Sequence, residues 1–150
     1  MANKVRVQAA HEAIARLTEL TDVFQQRREQ LASRVGLTVS QWSVLEEIST
    51  EHFMPSMFAQ TEATSRAAVS KVIRQLLDRE LIQVAISAVD GRQRDYTLTH
   101  SGKTMLERLR VERQKAIDAI WLPLDADALS QFTKFTALLV ERIERFAAKE

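Results

Sequence analysis

TSRAAVSKVIRQLLDRELIQVAISAVDGRQRDYTLT, residues 64–99, is the stretch whose reading decides the fold. Its first part has helical periodicity. Val69, Val72, Ile73, Leu76 and Leu77 recur at spacings of three and four and so share one face. Arg66, Ala67, Ser70, Lys71 and Arg74 fall on the other side, where no acid occurs before Asp78. A helix that buries one side and offers hydroxyls and cations on the other suits the major groove of DNA. Two β-branched, apolar segments follow, residues 81–86 and 95–99, and both read as strands. Residues 87–94 join them in a charged turn that carries Asp90, Gly91, Arg92 and Arg94.

Working outward, residues 56–62 read as a short helix and residues 63–65 as a turn, with Thr64 or Ser65 capping the helix after it. Two helices joined by a tight turn, the second polar on its outer side, make a helix-turn-helix. With the hairpin behind it, the whole is a winged helix. Upstream, Thr38 and Gln41 have the spacing of a capping box, and Trp42, Leu45 and Ile48 continue that helix to about Thr50. Residues 7–35 read as one helix of roughly 42 Å, stopped at Gly36. Downstream, a helix opens at residues 99–102 and runs to about Trp121. Leu122-Pro123-Leu124 then breaks the chain. Asp125 caps a last helix, residues 126–148, with a stripe of Leu129, Phe132, Phe135, Thr136, Leu139, Ile143 and Phe146. Both ends are more apolar than one small core needs, so residues 1–36 and 101–150 are expected to pair two copies as a homodimer around a DNA-binding region, residues 37–100. The fold class is mainly α with a small β-hairpin wing (α+β).

Composition narrows the function. The chain has 150 residues, three Gly, two Pro and no Cys, which excludes disulfides and thiolate metal sites. Net charge is +1 overall, yet residues 65–103 carry seven bases against four acids, the sign expected of a nucleic-acid face. The segment MANKVRVQAAHEA lacks the apolar run of a signal peptide, and no segment is apolar enough for a bilayer, so a cytoplasmic protein without membrane contact is expected. There is no phosphate loop, dinucleotide fingerprint, serine elbow or cysteine nucleophile, so an enzyme is not expected, and neither is a cofactor. His11, His52 and His100 are scattered. His11-Glu12 begins a metalloprotease-like pattern that Ala15 does not continue, so no metal site is expected.

Three segments resemble the MarR family of bacterial winged-helix transcriptional regulators. They are GLTVSQWSVL (residues 36–45), SRAAVSKVI (65–73) with LDRELI (77–82), and DGR (90–92) followed by YTLTHSG (96–102). The chain departs from the family's usual pattern at Glu62, Ala63 and Ala67, and at Gln83-Val84 on entry to the wing. The resemblance implies a homodimer with interleaved terminal helices, recognition helices in successive major grooves, wing arginines in flanking minor grooves, and, in many members, a small aromatic effector.

The candidate DNA contacts are Ser65, Arg66, Ala67, Ser70, Lys71 and Arg74 on the helix and Asp90, Arg92 and Arg94 on the wing. Arg66 is best placed for base edges. Ser65 and Ser70 suit phosphates, and Asp90 is positioned to hold the Arg92 side chain. The plain alternative is a solvated helix followed by an incidentally charged turn. His11, Phe24, Trp42, Phe53 and Trp121 are candidates for an effector pocket, with core and dimer packing as the alternative. The expected function is that of a dimeric, ligand-responsive repressor on a double-stranded operator. The rivals are a small-molecule or metal sensor without DNA activity, and a helical module whose basic face binds an acidic protein.

Overall fold

A computed structural model describes residues 1–62 and 64–150. Ala63, in the expected turn, lies outside the described residues. The element order is α1 (Ala2–Arg34), α2 (Val39–Ser49), α3 (Pro55–Thr61), α4 (Arg66–Asp78), β1 (Ile82–Ile86), β2 (Arg94–Leu98), α5 (His100–Ala116), a π-helical turn (Ile117–Trp121) and α6 (Ala126–Ala147). The chain forms two compact units, residues 1–110 and 111–150.

In the first unit α1 begins five residues earlier than its periodicity suggests. No Gly or Pro interrupts residues 2–6, so nothing stops the helix from extending to the terminus. Its other end is a Schellman motif. Gly36 has φ 76°, its N–H reaches the Ser33 carbonyl, and the Leu37 N–H reaches that of Ala32. The capping box of α2 is complete. The Thr38 hydroxyl accepts from the Gln41 N–H (3.1 Å), and the Thr38 N–H donates to Gln41 Oε1 (3.0 Å).

The core lies between the end of α1 and the middle of α5. Leu31, Ala32, Val35 and Leu37 meet Trp42, Val44, Leu45 and Ile48 of α2, Ala59 of α3, and Val69, Ile73 and Leu76 of α4. Leu81, Ile82, Leu106 and Leu109 close it. Upstream of Leu31 the long helix buries nothing, and Ile14, Leu17, Leu20, Val23 and Phe24 stay exposed.

The hairpin is antiparallel and runs in register from Ile82 opposite Leu98 to Ile86 opposite Arg94. Arg94 therefore belongs to the strand and not to the turn. Pairing with Ile86 continues the ladder one residue past the β-branched signal that marks its start in sequence.

The base of the wing is tied tightly. The Thr99 hydroxyl donates to the Glu80 carbonyl (2.6 Å) and accepts from the Gly102 N–H (3.1 Å), which caps α5. The Thr99 N–H donates to the Leu81 carbonyl (3.1 Å). A Cβ on Gly102 would lie 2.0 Å from that carbonyl oxygen, so only glycine lets α5 start there. Glu80 ends α4 in a second Schellman motif at φ 56°, a position glycine usually fills.

In the second unit, the expected single helix to Trp121 gives way to a π-turn. The Leu122 N–H bonds the Ile117 carbonyl five residues back, next to Pro123, which has no N–H to donate. Asp125 caps α6 by accepting from the Ala128 N–H (2.9 Å). None of α6 is buried, and Phe132, Phe135, Ile143 and Phe146 are exposed. No helix among the described residues is long and apolar enough to cross a membrane.

Two substitutions test the wing base. Gly102→Ala should destabilise the protein by about 2–4 kcal/mol, because the added methyl meets backbone and not a movable side chain. Glu80→Gly should stabilise it by about 0.5–1 kcal/mol, the left-handed strain relieved less the extra freedom of an unfolded glycine. Urea denaturation of the three proteins measures both, and a Gly102→Ala curve superimposing on the parent's would contradict the close approach.

Candidate nucleic-acid interface

The candidate face rests on how α4 is made. Val69, Ile73 and Leu76 turn into the core, with Val72 and Leu77 packed against its edge. At 100° per residue this directs Ala67, Ser70, Lys71 and Arg74 outward, and all four are exposed, as are Ser65 and Arg66. Ser65 is the N-cap. Its hydroxyl oxygen accepts from the Ala68 N–H (3.1 Å), which leaves its own hydrogen to donate elsewhere. Arg66 is the first residue of the helix, beside the turn.

Arg66, Lys71, Arg74, Arg92 and Arg94 have no carboxylate within ion-pair distance among the described residues. Among the described residues these five cations make no ion pair, although Asp78, Asp90 and Asp95 lie near them in sequence.

The wing tip is built from local bonds. The Ser87 N–H donates to the Gln93 carbonyl (2.8 Å), and the Gln93 N–H to the Asp90 carbonyl (2.9 Å). Asp90 Oδ1 accepts from the Arg92 backbone N–H (3.0 Å). Asp90 thus holds Arg92 by its backbone and not, as expected, by its side chain, because a carboxylate two residues before an amide closes an Asx turn. Arg92 is left exposed at the tip, as is Val89, which is 98% accessible. Arg94 sits further in, on the strand face it shares with Tyr96.

Tyr96 anchors the wing to the helices. Its ring stands edge-on to Phe53 at 5.9 Å, and Phe53 meets Phe58 of α3 in the same way at 5.6 Å. Nothing periodic in the sequence joins these three residues, and Tyr96 lies far along the chain from Phe53 and Phe58.

The candidate pocket residues occupy different settings. Trp42 is buried, donates Nε1–H to Glu46 (3.3 Å), and has the Arg28 guanidinium 5.4 Å above its ring. Glu46 in turn faces Arg110 at 3.6 Å. Phe53 belongs to the aromatic trio. His11 and Phe24 are exposed on α1, and Trp121 is half-buried in the π-turn of the second unit.

No protein-family model matches the chain, and no curated protein matches it by sequence. Solved structures do match. A MarR family transcription regulator superposes with a TM-score of 0.89 at 17% identity, covering 100% of both chains. Staphylococcus aureus MarR, in complex with salicylate and kanamycin, gives 0.79 at 18% identity over 92% of this chain and 94% of its own. Staphylococcus aureus MepR in a DNA complex gives 0.72 at 16% identity over 85% and 93%. At these identities the likeness is one of fold. The order of elements, the hairpin after the second helix of the helix-turn-helix and the long flanking helices are those of the MarR-type winged-helix fold, and this chain has that fold.

Proposed function

We propose that this protein is a MarR-family transcriptional regulator that binds double-stranded operator DNA as a homodimer and represses transcription until a small aromatic effector releases it. The observation that carries the reading is the set of exposed cations on the outer side of α4 and at the wing, none in an ion pair among the described residues, since a face of this kind meets the charge of phosphates. In this reading Arg66 reads base edges, Ser65 and Ser70 donate to phosphates, and Lys71 and Arg74 neutralise the backbone. Ala67 leaves room for close approach, and Arg92, steadied by Asp90, enters the minor groove with Arg94 behind it. That MepR was captured with DNA supports the same use of the fold.

The homodimer follows from what the single chain leaves uncovered. Ile14, Leu17, Leu20 and Phe24 on α1, and Phe132, Phe135, Ile143 and Phe146 on α6, are exposed. Residues 1–36 and 101–150 are thus the proposed dimerisation region, anchored by Leu31, Ala32, Leu106 and Leu109 on the core of a DNA-binding region, residues 37–100. The effector reading draws on the salicylate complex of S. aureus MarR, with His11, Phe24, Trp42, Phe53 and Trp121 as the residues proposed to contact it.

Selection from a random duplex library, followed by mobility shifts, tests the DNA reading. Arg74→Ala should weaken binding across most sequences and reduce the salt slope by about one. Arg66→Ala should cost ~1–3 kcal/mol on the selected duplex and relax its base preference. Both variants binding like the parent would sink the assignment of this face. For the dimer, Phe135→Glu should sediment as a monomer and lose at least about 100-fold in affinity, because two linked half-sites become one. A monomeric parent that binds as tightly would remove the dimer from the reading.

A further inference from the structure

Gln41 is the buried polar side chain of the core among the described residues, 8% exposed, and both the oxygen and the nitrogen of its amide are hydrogen-bonded. Oε1 accepts from the Thr38 N–H (3.0 Å) and from Arg79 Nη1 (3.3 Å), and Nε2 donates to Gln75 Oε1 (3.1 Å). Arg79 Nη1 also donates to the Gly36 carbonyl (2.8 Å). Gln75 and Arg79 lie one turn apart on the flank of α4, between its buried and outward sides. The capping box of α2 and the C-terminal end of α1 therefore grip the recognition helix at two levels.

We propose that Gln41 and Arg79 are positioning residues that set the rotation of α4 about its own axis, and with it which bases the outward side chains reach. This deepens the DNA-binding reading above and rests on it. The apolar contacts of Val69, Ile73 and Leu76 hold α4 against the core but resist rotation weakly, because dispersion and hydrophobic burial are not directional. Hydrogen bonds weaken steeply as their angles open. A 20° turn moves a side-chain tip about 6 Å from the axis by roughly 2 Å. That is enough to break a two-bond contact to a guanine edge while leaving phosphate attraction in place. Gln41 and Arg79 thus serve specificity, whereas Lys71 and Arg74 serve affinity.

The test uses the full-length protein, a duplex selected by the parent from a random library, and a shuffled duplex of the same composition. Arg79 is exposed, so Arg79→Met keeps the stem and the fold while removing the donor. Its discrimination between the two duplexes should fall about tenfold, with low-salt binding to the shuffled duplex unchanged. Gln41→Leu should lose a similar factor, and the double variant no more than either alone. Arg79→Lys should stay within about twofold of the parent, since one nitrogen makes both bonds and the Lys ammonium can donate to both acceptors. Discrimination unchanged in Arg79→Met would overturn the inference. So would equal losses on both duplexes, the mark of a phosphate contact such as Arg74→Ala removes, or additive losses in the double variant. A parent that selects no duplex would instead overturn the DNA reading itself, and this inference with it.

Discussion

Everything in the first unit depends on one constraint: the inner face of α4 must stay buried while its outer face stays wet. Leu76 is fully buried, with Val69 and Ile73 beside it, and these three form the floor on which α2, α3 and β1 pack. A helix of 13 residues has little stability of its own in water, so tertiary burial keeps it formed. The same burial turns Ser70, Lys71 and Arg74 to the outer side. Core packing and surface display are two consequences of a single amphipathic pattern.

The wing depends on that helix through a few backbone contacts. Glu80 accepts a left-handed conformation so that the chain can turn from α4 directly into β1. Leu81 then meets Gly102 at a distance that excludes any side chain, and Thr99 joins the two ends of the hairpin. The aromatic contacts of Phe53, Phe58 and Tyr96 fix the hairpin from the other side. A tip only a few residues long is therefore carried on a base tied by hydrogen bonds and ring contacts.

Much of this was legible in the sequence, for identifiable reasons. Long elements with strong periodicity, such as α4 and α6, declare themselves, because apolar residues recur on one side every 3.6 residues. Caps declare themselves too, since Thr38 with Gln41, Ser65, Asp125 and Gly36 are local in chemistry. What escaped is non-local or runs against propensity. Glu80 occupies a glycine position and so gives no turn signal. Arg94 joins a strand through pairing with Ile86, which its own side chain does not advertise. The start of α1 has no side-chain cap to mark it. Among the candidate contacts, the outward position of the α4 residues followed from periodicity. The role of Asp90 did not, because backbone and guanidinium are equally near in sequence.

Gln41 shows where the boundary between the two kinds of information lies. Its capping bond with Thr38 spans three residues and can be read from the chain. Its bonds to Gln75 and Arg79 span 34 and 38 residues and cannot. The one amide joins a local rule to a tertiary one. A capping box requires only that position 41 be Gln or Glu. The bond to Gln75 uses the amide's N–H donor, which a carboxylate at position 41 would lack. Gln41, in the first turn of α2, is thereby also bonded to the end of α4, and the two helices share one buried amide.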